Sequence, residues 1–303
     1  MRERDRSHQA TAIGDAPWRG ALLMIATVTL QPVNQAVAKH LAAELPVIEI
    51  VWGRLLFHCL IAVPFVIASH GVGGLRPANP GIQIFRGGLL SVATIFLFGA
   101  LAQIPMADAI ALAFVAPLVV TALSPLLLGE YVGPRRWVAV AVGFAGALIV
   151  IRPGAGAMEW AALLALGSGV IYGFYLIVTR RIAGTAPPAV TLVYTALVGV
   201  VVTSAMLPFL WVSPTSAAWA WMALAGAASA LAHFCLIRAY HYAEASLIAP
   251  LTYGEIVMAT LLGYIVFGDF PDTVTWLGVG VIAMTGLYVS MRGRQDKADR
   301  SCR

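Results

Sequence analysis

Ten apolar stretches follow one another along this chain with only short polar links between them. They occupy residues 18–38, 47–69, 84–104, 109–128, 137–151, 160–179, 190–212, 217–237, 246–267 and 274–291. A helix rises about 1.5 Å per residue and the hydrocarbon layer is about 30 Å thick, so roughly 20 residues make a crossing. The fifth stretch is short and is expected to extend back toward Val132. Lipid offers the backbone no hydrogen-bond partner, so each stretch must be helical or belong to a closed barrel. Continuous apolar runs, as opposed to alternation, exclude the barrel. Only 11% of the residues are charged, whereas a soluble domain averages about 25%. The chain reads as an all-α polytopic membrane protein with ten transmembrane helices.

The first span is too long for a signal-peptide core, so no cleavage is expected. Cys59, Cys235 and Cys302 occur singly, without the spacing of a metal or redox site. Neither a metal nor another cofactor is expected. The net charge of +5 does not form a patch for nucleic acid; it sorts by topology. With the N-terminus in the cytoplasm, sixteen of the nineteen Lys and Arg residues, Arg86 among them, fall on the inside; Lys39 and Arg152 fall outside and Arg54 lies within a span. That is a strong positive-inside bias, and it puts both chain ends in the cytoplasm. Arg in preference to Lys, with abundant Ala, Gly and Val, points to a bacterial chain and so to the inner membrane.

The chain also repeats itself. Trp18 and Lys39 are spaced like Trp160 and Arg181. Ala107-Asp108-Ala109 is echoed by Ala243-Glu244-Ala245, and Leu128-Gly129-Glu130 before Trp137 by Phe267-Gly268-Asp269 before Trp276. Each half holds five spans, an odd number, so the second copy must sit inverted in the membrane. Arg135 and Arg136 precede Trp137, whereas the matched Val274 and Thr275 precede Trp276 beside Asp272, as expected when one copy of a loop faces out. The organisation is a tail over 1–17, a first five-helix repeat over 18–152, an inverted second repeat over 153–292 and a tail over 293–303. Inverted repeats suit secondary transporters, because exchanging the conformations of the two halves moves the opening of one central site across the membrane.

The pattern Ala-Asp-Ala, Leu-Leu-Gly-Glu-Tyr and Arg-Arg-Trp, with its echo Ala-Glu-Ala-Ser-Leu-Ile-Ala-Pro-Leu, Phe-Gly-Asp and Trp-Leu-Gly, resembles the EamA-type transporters of the drug/metabolite transporter superfamily. The resemblance covers about residues 18–292. It implies ten helices, cytoplasmic ends and alternating access for a small-molecule solute. It favours export of amino-acid-like or amphiphilic compounds, with uptake of a riboflavin-like vitamin or an S-adenosylmethionine-like metabolite as the competing version.

An ionisable group at mid-bilayer costs about 2.5–3.5 kcal/mol on insertion scales, so it ordinarily faces a cavity or a partner. Arg54 lies about 10 Å below the outer edge of the second span and Glu255 about 16 Å below it. The two are expected to pair across a central cavity, to hold a solute's charges, or to lock two helices structurally. His58 shares a helix face with Arg54. With Glu255 it is the candidate for proton coupling, packing being the plainer role. Gln31, Asn34 and Gln35 share a face beside Pro32, and Tyr172 and Tyr175 share one with Ser168. Thr252 and Tyr253 accompany Glu255. These ten residues are the candidate solute contacts, and interhelical hydrogen bonding is the alternative use of each. His233 reads as packing. Pro117, Pro125, Pro208 and Pro250 read as bends, Asp108 and Glu244 as helix-start acids, and Gly278, Gly280 and Gly286 as a candidate homodimer contact. A membrane-embedded enzyme is disfavoured: Asp108 and Asp269 lie at helix edges and no His-Glu-x-x-His occurs. A channel would be recognised by flux without exchange.

Overall fold

The computed structural model describes residues 17–71, 79–152, 159–182, 187–243 and 245–301. Its described elements are helices: α1 (Pro17–Leu41), α2 (Val47–His70), α3 (Pro80–Leu101), α4 in two segments (Met106–Ala113 and Ala116–Leu128), α5 (Pro134–Ile151), α6 (Glu159–Arg181), α7 (Pro188–Met206), α8 (Ser216–Tyr242), α9 (Ala245–Thr252 and Gly254–Leu262, running on as a π turn, Gly263–Phe267) and α10 (Thr273–Ser301). Nine rods among the described residues are long and apolar enough to cross a membrane, and the described apolar part of α10, Thr273–Val289, is shorter.

Prolines set several boundaries that hydropathy alone misplaces. Pro80, Pro134 and Pro188 open α3, α5 and α7, because the first turn of a helix does not use the missing N–H. So α3 begins at Pro80, ahead of the apolar stretch expected from residue 84. It ends at Leu101, short of Ile104, since the residue before Pro105 is pushed out of helical backbone. Pro117 lies just after the interruption of α4, whereas Pro250 lies inside the first segment of α9, ahead of the break at Tyr253; a proline donates no bond and displaces the carbonyl four residues back. For Pro117 that carbonyl belongs to Ala113, and Gly169 of α6 closes on it: a Cβ at 169 would come within 2.7 Å of the Ala113 oxygen.

The repeat is visible in packing. α1 lies along α8 as α6 lies along α3; α2 meets α8 as α7 meets α3; α9 meets α1 as α4 meets α6; α2–α7, α4–α9 and α5–α10 pair with their own counterparts. Every one of these relations survives the exchange of each helix for the one five places on, which is a two-fold pseudo-symmetry. Successive rods alternate in direction, so five per half makes the halves antiparallel. Since lipid gives helices no hydrophobic reason to associate, small residues at the crossings carry the contact. At α5–α10 a Cβ on Gly278 would lie 2.8 Å from the Gly146 oxygen, and one on Gly146 would lie 3.2 Å from the Gly278 oxygen. Gly278 and Gly286 are thus used inside the chain, Gly286 against Tyr253, whereas a Cβ on Gly280 meets nothing within 4 Å. The dimer expectation loses two of its three glycines to intramolecular packing.

The repeated sequence motifs have local reasons. Gly129 and Gly268 end α4 and α9 in the left-handed region, at φ 65° and 74°, where glycine avoids the Cβ penalty. The tryptophans Trp18, Trp160, Trp137 and Trp276 stay substantially exposed near helix starts, the placement of interface anchors. The acids after the two glycines are ion-paired: Asp269 to Lys39 at 3.0 Å and Glu130 to Arg180 at 2.5 Å. Lys39 lies near the end of α1 and Arg180 near the end of α6, so the pairs occupy equivalent places at opposite ends of the bundle. Each one ties a repeat to the other.

Arg152, following α5, pairs with Asp272 ahead of α10. The Arg152 guanidinium, then the Thr275 N–H, hold the Asp272 carboxyl well below the usual carboxylate range. A depressed carboxyl stabilises the fold above its unfolded value, and that contribution disappears as pH falls through the folded value. Unfolding temperatures of Arg152→Gln and the unsubstituted protein should therefore differ at neutral pH and converge progressively as the pH drops below about 4. Asp108 lies in the first turn of α4 but caps nothing: the N-cap makes no side-chain bond, and the Asp108 Oδ1 has no partner among the described residues. Glu244 lies outside the described residues.

Candidate functional site

A cavity of about 540 Å³ lies within the bundle. Its wall along α1 runs from Met24 to Gln35, from about 10 Å to about 27 Å beyond the helix start at 1.5 Å per residue. Past Gln35 the bundle is filled by Leu41, Ile50, Leu101, Ile104 and Met106, none more than 2% exposed. Toward the face that carries the chain ends, the wall continues through Leu176, Leu192, Leu236 and Tyr240. The cavity is thus plugged on the far side and extends toward the terminal side.

All ten residues singled out from the sequence line this one space: Gln31, Asn34, Gln35, Arg54, His58, Tyr172, Tyr175, Thr252, Tyr253 and Glu255. Local folding explains part of it. The amides of α1 recur at helical spacing around Pro32, and the break at Tyr253 puts Glu255 in the first turn of a new segment. The expected Arg54–Glu255 pair does not form. The Gln35 Nε2 donates to the Glu255 Oε1 at 2.8 Å, and the Arg54 Nη1 donates to the Ser229 Oγ at 3.2 Å with its guanidinium 5.4 Å from the Phe98 ring centre. The reason is placement on separate walls: α9 is packed on α1, and α2 on α8.

Ser229 links three cavity groups. It accepts from Arg54 and lies 3.3 Å from the His58 Nδ1. A serine hydroxyl carries one proton and two lone pairs, so it can serve both groups at once. The His233 Nδ1 donates to the Ser229 carbonyl at 2.7 Å, and the two imidazoles meet edge to face at 5.6 Å. So His233, expected merely to pack, also lines the cavity. The rings of Tyr172 and Tyr175 stack at 5.3 Å, and Phe114 and Tyr253, at the two helix breaks, lie 5.1 Å apart. Among the described residues no group of three His, Cys, Asp or Glu side chains is placed to hold a metal.

Sequence reasoning missed Arg86. Counted only as a basic residue on the inside, at the edge of the third stretch, it is 1% exposed in α3, where it donates to Thr179, Thr195 and the Thr191 carbonyl and lies 4.9 Å from the Tyr175 ring centre. Reading Pro80 as a helix start would have put Arg86 about 9 Å down the helix. Phe98 and Phe114 carry no signal of their own, because only packing brings them to the cavity, and the same holds for Ser229.

The EamA-like transporter family model matches this chain twice, over residues 18–152 and 159–292. The chain belongs to the EamA-like transporter family. A riboflavin transporter of Rhizobium johnstonii is 30% identical, the match covering 77% of each chain. An S-adenosylmethionine uptake transporter of Rickettsia conorii is 27% identical over 84% of this chain and 87% of that one. A pseudopaline exporter of Pseudomonas aeruginosa is 27% identical over 89% and 94%. A crystal structure with 21% identity superposes at a TM-score of 0.64 over 91% of this chain and 97% of that one, which supports the fold. This EamA-like protein is a multi-pass membrane protein of a family that transports small metabolites.

Proposed function

We propose that the chain is a secondary transporter that carries small organic metabolites across the bacterial inner membrane by alternating access, with both ends cytoplasmic, exporting amino-acid-like or amphiphilic compounds. The observation that carries this reading is one cavity between two pseudo-symmetric halves, largely apolar but holding Arg54, Glu255 and the α1 amides, and plugged on one side. The halves are equivalent in packing, so each can adopt the conformation of the other and move the plug to the other face. The ion pairs Lys39–Asp269 and Arg180–Glu130 join the two halves at opposite ends of the bundle. The ten cavity residues are the proposed solute contacts, and Glu255 with His58 the route for a coupled proton. Uptake is a second reading, favoured by the names of the riboflavin and S-adenosylmethionine relatives.

The test is counterflow in proteoliposomes holding the purified protein, against riboflavin, S-adenosylmethionine and a set of amino acids. A carrier shows saturable uptake accelerated by unlabelled solute on the far side, and an imposed pH gradient shifts the rate unless Glu255 is replaced by Gln. Linear flux without exchange would instead indicate a channel. Comparing net flux in vesicles of the two protein orientations settles direction.

A further inference from the structure

We infer that Arg54 and Glu255 are the two poles of a site for a net-neutral zwitterion, Arg54 taking the solute's anionic group and Glu255 its ammonium group. The inference rests on the transport reading and names the charge pattern of what is carried.

Two opposite charges inside a membrane protein are cheapest when bonded to each other, since an uncompensated buried charge is costly. Here they share a cavity and stay apart. Arg54 is 8% exposed, with a serine hydroxyl and the Phe98 ring beside it, and its Nε has no partner among the described residues. Glu255 has the Gln35 amide. Neither has an oppositely charged partner among the described residues. The polarity of the walls extends beyond the two charges. On the α1 side the oxygens of Gln31, Asn34 and Gln35 are buried acceptors with no donor among the described residues, on the same wall as the carboxylate. On the α2 side the unsatisfied group is a donor, the guanidinium.

Buried polar groups in native proteins are ordinarily hydrogen-bonded, and each exception requires an explanation. One solute satisfies both walls. An ammonium brings donors to the Glu255 carboxylate, and a carboxylate or similar anion takes the guanidinium fork. The two poles sum to zero charge, so a net-neutral zwitterion leaves both compensated, whereas a solute with only one of the two charged groups, or with neither, leaves one or both bare. The aromatic walls then face the solute's apolar body.

Matched solutes test this on the purified full-length protein, by shift of unfolding temperature and by counterflow. Tryptophan, methionine and leucine are the net-neutral zwitterions; tryptamine lacks the carboxylate, indole-3-propionate lacks the ammonium, riboflavin is uncharged, and S-adenosylmethionine adds a sulfonium charge to an ammonium and a carboxylate. At least one zwitterion should engage the protein. The analogue of an engaging zwitterion that lacks either charged group should bind about tenfold or more weakly, because it leaves a buried polar group unpaired. Arg54→Gln should erase the preference over the analogue without the carboxylate while keeping that over the analogue without the ammonium, and Glu255→Gln the converse. A purely structural role would lower all affinities alike. Should the variants not fold, the solute series on the unsubstituted protein decides alone. Exchange of riboflavin or S-adenosylmethionine with no zwitterion engaged would overturn the inference and leave the transport reading standing; no exchange by any solute would count against both.

Discussion

Tethering the end of α1 to the end of α9 stops transport and leaves solute binding intact. With Lys39→Cys and Asp269→Cys in a chain whose native Cys59, Cys235 and Cys302 are replaced by serine, a short bifunctional thiol reagent replaces the 3.0 Å ion pair by a covalent link. The pair belongs to the plugged face. Lys39 also donates to the Ile104 carbonyl at 2.7 Å and lies 5.4 Å from the Phe267 ring centre. In the transport reading this face must separate for the solute to leave, and the link removes the separated state from the equilibrium. Counterflow should fall by about a hundredfold or more, because flux scales with the population of the state that has been eliminated. Solute-dependent thermal stabilisation should persist, since the cavity keeps its terminal side. A monofunctional thiol reagent serves as the control. Undiminished counterflow in the linked protein would show that this face does not move.

Gly226→Ala is the second large effect, and Gly280→Ala is its internal control. A Cβ at 226 would come 2.5 Å from the Phe57 Cβ, 2.8 Å from the Arg54 carbonyl oxygen and 2.9 Å from the His58 backbone nitrogen. Two of those are backbone atoms and cannot rotate away, so α8 must leave α2. Overpacking of this kind costs about 1–3 kcal/mol, read as a lower unfolding temperature in detergent. It also shifts the strut that Ser229 provides to Arg54 and His58, so solute affinity should drop as well. At Gly280 the new methyl meets open space, and the gain in helix propensity is about 1 kcal/mol in the opposite direction. Equal effects at the two positions would contradict the packing described for the α2–α8 crossing.

The candidate site is legible in the sequence because lipid makes polar residues conspicuous. Arg54, His58 and Glu255 stand out in apolar runs, and the amides of α1 stand out by helical spacing. Arg86 shows the limit of that reading. Its position near a span edge gives it the look of a loop residue, and a proline start is needed to bury it. Asp108 shows the same from the other side: an acid at a helix start has the look of a cap and makes no capping bond.

What the chain alone determined follows from the solvent. Long apolar runs without backbone partners have to be helices, and an odd number of them repeated has to invert. Glycine at the ends of α4 and α9, tryptophan near helix starts and acids after the glycines were all readable because each answers a local requirement of the backbone or the interface. Pairing across the molecule was decided by the tertiary structure. Sequence spacing placed Arg54 and Glu255 at compatible depths and suggested that they meet; packing of α2 on α8 and α9 on α1 put them on separate walls, each with a neutral partner. The repeated acids and their basic partners lie far apart in the chain, and only the docking of the two halves joins them as Lys39–Asp269 and Arg180–Glu130, the second through Arg180 and not the matched Arg181. Depth in a membrane is a one-dimensional property that a sequence carries, whereas the azimuth of a side chain around the bundle depends on which helices touch.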